Sequence, residues 1–305
     1  MRLIPSIVAI LFVGIIASSS SVQATGSETS GCYPADRCGT DPAPVPIPPV
    51  AQVLQRASAC PSDMVEVEGD YCPDVESKTR CLFNVDMHGK VQKDASGHVM
   101  QDMTWACGEY QSPSVCEPSH TVHLHFCIDR YEWPNKEGQV PQDWMTWHDA
   151  KKAVESVGKR LCTHREWSLA AEGPHMHPLP YGDGFHRDSS ICNFDNDVKM
   201  DVASESKRPD DEASKKLRAL LVPSGSKPNC VSEYGVYDMA GNIDEWVVNE
   251  SSNDLCENKS SGNCRSGLMG GHIWHVRNNA FSMTTAHGAG FGWYETGTRA
   301  CKDIK

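Results

Sequence analysis

Although the chain holds 14 cysteines, no two of them form a Cys-x-x-Cys pair, which removes the spacing expected of zinc knuckles and thioredoxin-like redox sites. Positive charge is scarce. Against 40 Asp and Glu stand 28 Lys and Arg, for a formal charge of −12, so no electrostatic footprint exists for a phosphate backbone and nucleic acid is excluded as a partner. Long apolar runs are absent apart from residues 3–17, and that run falls short of the roughly 20 residues a bilayer span requires. No Gly-x-Ser-x-Gly elbow, phosphate loop or His-Glu-x-x-His pair occurs, so the reactions those motifs serve are not indicated. Internal repeats are also missing.

What is present begins with Met1-Arg2, the apolar run, a serine patch and Val22-Gln23-Ala24, which together read as a cleavable secretory signal over residues 1–24. All fourteen cysteines follow it. An even, high count in an exported chain predicts disulfides rather than free thiols, in a secreted or periplasmic protein whose mature form has no membrane span. Residues 25–59 form a proline-rich linker in which Asp41-Pro-Ala-Pro-Val-Pro-Ile-Pro-Pro49 has the composition of an extended spacer. The folded domain is expected over residues 60–305.

Within that domain, residues 63–69 alternate apolar and acidic side chains as a half-buried strand does. Residues 120–128 alternate too, placing Val122, Leu124, Phe126 and Ile128 on one face and His123, His125 and Cys127 on the other. Thr146 with Asp149 predicts a helix start, Trp147, Ala150, Val154 and Val157 its apolar stripe, and Gly158 its end. Thr163 with Glu166 is a second capping box, followed by Trp167, Ala170 and Ala171 before Gly173. The remainder reads as loops and short strand-like runs. Two short helices in a cysteine-rich, loop-heavy chain predict an α+β fold.

Three segments occur in a telling order: Phe126-Cys-Ile-Asp-Arg-Tyr-Glu-Trp-Pro-Asn135, then Arg160-Leu-Cys-Thr-His-Arg-Glu-Trp167, then Tyr234-Gly-Val-Tyr-Asp-Met-Ala-Gly-Asn-Ile-Asp-Glu-Trp246. Together they resemble the formylglycine-generating enzyme, or sulfatase-modifying-factor, family across roughly residues 60–301. The resemblance implies a loop-rich variant of the C-type-lectin fold. It also implies structural calcium held near the Gly-Asn-x-x-Glu-Trp segment and an Asn-rich loop, which makes Asn193, Asn242 and Glu245 the candidate ligands, oxygen donors of the kind calcium takes. The competing expectation is that Asn242 and Glu245 only satisfy backbone groups in a buried turn beside Trp246.

The family's chemistry rests on two copper-binding cysteines in a glycine-rich C-terminal segment. Gly270, Gly271 and Arg277 fit that frame, but no cysteine lies between Cys264 and Cys301. The resemblance therefore carries the shape without the parent activity. In place of thiols stand His272, His275 and, farther on, His287, and neutral imidazole is a ligand for copper, iron or zinc. The alternative is that these are ordinary loop histidines.

Other histidines are read as surface groups. His123 and His125 lie on a polar strand face beside a Cys127 expected to be bridged, with chelation of a metal by these three as the alternative, and His175, His177 and His186 fall in and just after a proline- and glycine-rich loop. Asp129, Arg130 and Glu132 are expected to form a buried ion pair that fixes the fold. Asn249-Glu-Ser251 and Asn258-Lys-Ser260 are glycosylation sequons, which would put both asparagines on the surface. Two functional classes follow. One is a divergent metal- or oxygen-dependent enzyme using His272, His275 or His287, with Arg277 and Trp274 shaping its pocket; the other is a non-catalytic module that binds a protein, peptide or small-molecule ligand on its loops.

Overall fold

The alternating segment around residue 126 becomes the strand at the centre of the architecture. In the computed structural model, which describes residues 58–73, 81–86, 88–101, 106–116, 121–257, 262–274 and 277–304, β1 (Met64–Tyr71) pairs antiparallel with β4 (Val122–Asp129) along its whole length. The other edge of β4 takes β9 (Ala300–Asp303), which in turn takes β5 (Arg160–Leu161), for a sheet order β1-β4-β9-β5. Between them run the hairpin strands β2 (Cys81–Asn84) and β3 (Cys107–Tyr110). Strict alternation fails in the second half of β4. From Phe126 to Asp129 all four side chains are buried, because β9 and the helices close the face that the first half leaves exposed.

Helix α1 (Trp147–Ser156) starts at Thr146 and α2 (His164–Glu172) at Thr163, each with both hydrogen bonds of a capping box. Trp147, Ala150 and Val154 are buried as the stripe predicts, but Val157 is 53% exposed because it is the residue that ends the helix rather than a member of it. Two further short helices, α3 (Met200–Glu205) and α4 (Glu212–Arg218), lie where the sequence reading expects loops. A second sheet joins β6 (Asp244–Val248) antiparallel to β7 (Ser266–Met269) and parallel to β8 (Thr296–Gly297). The chain is thus α+β, loop-rich and stapled, as expected.

Among the described residues six disulfides hold the loops: Cys60–Cys127, Cys72–Cys116, Cys81–Cys107, Cys162–Cys301, Cys192–Cys230 and Cys256–Cys264. Cys127 is bridged, and His123 and His125 face Asp70 (2.9 Å) and Glu66 (2.8 Å) across the β1–β4 pair. The sheet's polar face therefore accounts for both histidines.

At the core, Arg299 is 1% exposed and donates from Nε and Nη2 to the two oxygens of Glu245 at 2.6 and 2.7 Å. Trp167 Nε1 donates to the same carboxylate at 2.7 Å. A fully paired buried ion of this kind specifies one packing, since removing either partner strands a charge. The expected ion pair near residue 130 forms differently. Asp129 and Glu132 are buried, yet Asp129 pairs with Lys159 at 2.6 Å and Glu132 accepts from Ser224 and Asn242, while Arg130 donates to the Gly235 carbonyl.

The expected signal, residues 1–24, and all but the last two residues of the linker, residues 25–59, lie outside the described residues, as do His275 and Asn258. The described residues all belong to the unit Arg56–Lys305. Asn249 corrects the sequon reading. It is 1% exposed, and its amide donates to Asn263 Oδ1 and the Cys264 carbonyl, so no glycan fits there in the folded chain.

Candidate functional site

Two glycines at the end of β7 turn the chain into the segment that carries His272. Both have φ in the left-handed region, +87° for Gly270 and +67° for Gly271, and a Cβ on Gly270 would press on the Trp167 ring at 3.0 Å. The Gly270 carbonyl accepts from Gly241 N, which ties this turn to the Gly-Asn turn before β6. Beyond it the backbone is pinned: Asn278 Nδ2 donates to the His272 carbonyl, and Asn196 donates twice to the Ile273 carbonyl. The parallel pairing of β6 with β8 then sets Asp244 opposite Thr296, with Asp244 N donating to the Glu295 carbonyl at 2.7 Å.

The result is a buried charged cluster. His272 Nε2 lies 3.0 Å from Glu295 Oε2, and Arg277 Nη2 contacts Asp244 Oδ2. His272, Glu295 and Asp244 are buried; the Arg277 side chain is 21% exposed, so the cluster reaches solvent at that edge. Tyr294 stands edge-on to the His272 ring and Trp274 lies 5.9 Å from it, forming aromatic walls. Burial would raise Glu295, but the charges of His272, Arg277 and His287 hold its carboxyl below the usual range. Asp244 goes the other way, pushed up to about 6 by burial against the pull of Arg277. Three buried nitrogens here, His272 Nδ1, Trp274 Nε1 and Arg277 Nε, have no hydrogen-bond partner. Asp244 Oδ1 beside them is likewise without a partner, and each such unmet group costs about 1–3 kcal/mol that a polar group entering the cluster recovers.

Of the sequence candidates, the fold brings His272, Arg277, Trp274 and His287 to one region, with His287 acting electrostatically on Glu295 while its ring stacks on Phe291. Asp244, the first residue of β6, joins them in the cluster. Glu295 was not legible, since Trp-Tyr-Glu-Thr carries no motif.

Asn193 and Asn242 meet elsewhere. Asn193 Nδ2 donates to Asn242 Oδ1 at 2.8 Å, Val222 N donates to the same oxygen, and Asn242 Nδ2 faces Glu132. Glu245 does not join them, because Arg299 and Trp167 occupy its oxygens. A calcium ion with Glu245 as ligand does not fit beside that guanidinium. Around this point Glu132 is raised well above the carboxylate range and Asp238 to about 6, both mainly by burial.

Among the described residues every cysteine is in a disulfide, and no helix is long and apolar enough to cross a membrane. Fold and site together define a disulfide-stapled α+β domain in which a buried imidazole–carboxylate and guanidinium–carboxylate cluster follows a glycine pair. The chain belongs to the Sulfatase-modifying factor enzyme 1-like domain family, whose pattern matches residues 128–302.

Serine/threonine-protein kinase pkn1 of Chlamydia pneumoniae is 32% identical over 113 residues, which is 37% of this chain and 14% of that protein. Its counterpart in Chlamydia trachomatis is 29% identical over 116 residues, 38% of this chain and 15% of the kinase. The chain thus spans about one-seventh of the length of these relatives. Among solved structures, CarF covers 80% of this chain and 99% of its own at 16% identity and a TM-score of 0.48. PvdO from Pseudomonas aeruginosa covers 81% of this chain and 96% of its own at 16% identity and a TM-score of 0.43.

Proposed function

We propose that this chain is an exported member of its family that does not oxidise thiols through a copper–cysteine pair, and that it binds a polar ligand at the cluster of His272, Glu295, Asp244 and Arg277. The observation that carries this reading is the pairing of all twelve cysteines from Cys60 to Cys301, which leaves none of those twelve to ligate copper. Copper bound to two thiolates would supply oxygen activation, and this segment has no thiol to hold it there. What the cluster offers instead is polar atoms without a partner, the donors Trp274 Nε1 and Arg277 Nε, His272 Nδ1 and the acceptor Asp244 Oδ1, at an edge open to solvent, which suits a ligand carrying both acceptors and donors. Export is supported by the six bridges, which persist in oxidising compartments, and by the signal-like residues 1–24.

The test uses the exported protein, copper, oxygen and a sulfatase-derived peptide bearing the target cysteine. No aldehyde is expected by mass spectrometry, and its stoichiometric formation would end this reading.

A second reading is a divergent metal-dependent enzyme built on His272, His275 and His287, an oxidase with Cu or Fe and a Lewis-acid site with Zn. The observation favouring it is the buried pairing of an imidazole with a carboxylate, His272 Nε2 lying 3.0 Å from Glu295 Oε2. A tightly held transition metal that is lost in His272→Ala and in His287→Ala would select it over the binding module.

A further inference from the structure

Away from that cluster, His175, His177 and Glu233 converge. Each offers one ligand atom, and these atoms all lie within 4.8 Å of one another. The first two come from the loop after α2, the third from a tight turn closed by the Val231–Tyr237 bridge and anchored by the Cys192–Cys230 disulfide next to it.

Several features hold the trio in place. His177 N donates to the Glu172 carbonyl at 2.8 Å, and the His177 ring stands edge-on to Phe185. Gly173, at φ +69°, lets the carboxylate approach, since a Cβ there would lie 2.4 Å from Glu233 Oε2. The carboxylate therefore sits against the C-terminal end of α2, where the helix dipole is negative. Two like charges in contact favour a cation between or beside them. At present His175 Nδ1 donates to Glu233 Oε1 at 2.7 Å, with His177 Nδ1 3.9 Å from the other oxygen and the two imidazoles stacked 5.8 Å apart.

We propose that His175, His177 and Glu233 form a binding site for a divalent transition cation of the zinc class, with a fourth position open to water. Two imidazoles and one carboxylate are a donor set that zinc accepts, with metal–ligand distances of about 2.0–2.2 Å. Closing the ligands to that range asks for movement of His175, whose side chain is 71% exposed, and a smaller approach between His177 Nδ1 and the Glu233 carboxylate, now 3.9 Å apart. Calcium and magnesium prefer all-oxygen shells and are not matched.

The chelator-stripped exported protein is titrated with zinc alone against a chromophoric chelator, and with cobalt(II) as a spectroscopic probe. One zinc per chain and the visible absorption of tetrahedral cobalt are expected. His175→Ala, His177→Ala and Glu233→Gln should each weaken zinc by about tenfold or more, whereas His123→Ala, at a histidine on the polar face of the β1–β4 pair, should leave it unchanged. Circular dichroism of each variant confirms the fold, which the exposure of His175 favours. Binding that survives the double His175→Ala, His177→Ala change overturns the site, as does no zinc uptake by folded protein with its bridges intact. Neither result depends on the function proposed for the His272 cluster.

Discussion

His272 donates through Nε2 to Glu295 Oε2 at 3.0 Å, and neither side chain is more than 10% exposed. A buried pair of this kind is weak evidence for stability as such, but cutting one partner leaves the other uncompensated. Glu295→Ala should cost about 3 kcal/mol by urea denaturation with the disulfides intact. Adding His272→Ala should cost less than the sum of the two single changes by about 1 kcal/mol or more. Additive losses would show that the two groups do not act as a pair.

The disulfide pattern makes a count. Fourteen cysteines with twelve in bridges leave Cys32 and Cys38, so thiol titration of the exported protein, denatured without reductant, should find no more than two reactive thiols. Four or more would break at least one bridge.

Asp238 gives a pH dependence with a definite sign. Burial lifts its carboxyl from 3.8 to about 6, so the folded state holds this proton more tightly than the unfolded chain does. The stability it contributes is complete below pH 4 and is lost as pH rises through 6. Asp238→Asn keeps the site neutral and suits the left-handed backbone there, φ +58°. The variant should therefore gain on the natural protein by roughly 1–3 kcal/mol between pH 4 and pH 7, measured as the shift in denaturation midpoint. A gap that stays constant with pH would rule out titration of this group.

Thr163 caps α2 by accepting from Glu166 N, while Glu166 accepts from Thr163 N at 2.8 Å and pairs with Arg160. Thr163→Ala should lower stability by about 1 kcal/mol. Thr163→Ser, which keeps the hydroxyl, should restore most of it. Equal losses in both would mean the threonine methyl, not the cap, is what matters.

Legibility followed the range of the interaction. Both capping boxes, the glycines that end α1 and α2 and the first half of β4 depend on neighbours within a few residues, and each could be read directly. Val157 was placed on the stripe by periodicity alone, yet the helix stops one residue earlier and leaves it in water. Asn249 fits a surface sequon by its three letters, but Asn263 and Cys264 take its amide in the interior. His272 and Arg277 could be singled out because a glycine pair precedes them. Their carboxylate partners could not.

By itself the chain determined an acidic, cysteine-rich α+β domain of this family with no thiol where the family's copper pair would stand, because composition, local caps and motif order need no partner from afar. The tertiary structure alone decided which charges meet. Asp244 and Arg277 are 33 residues apart, and Glu295 reaches them only because β8 lies parallel beside β6, a pairing set by burial of the whole sheet. Likewise Glu233 meets His175 and His177 only because two separate loops pack together, so ion pairs and ligand sets that cross the fold have no signature in any one stretch of residues.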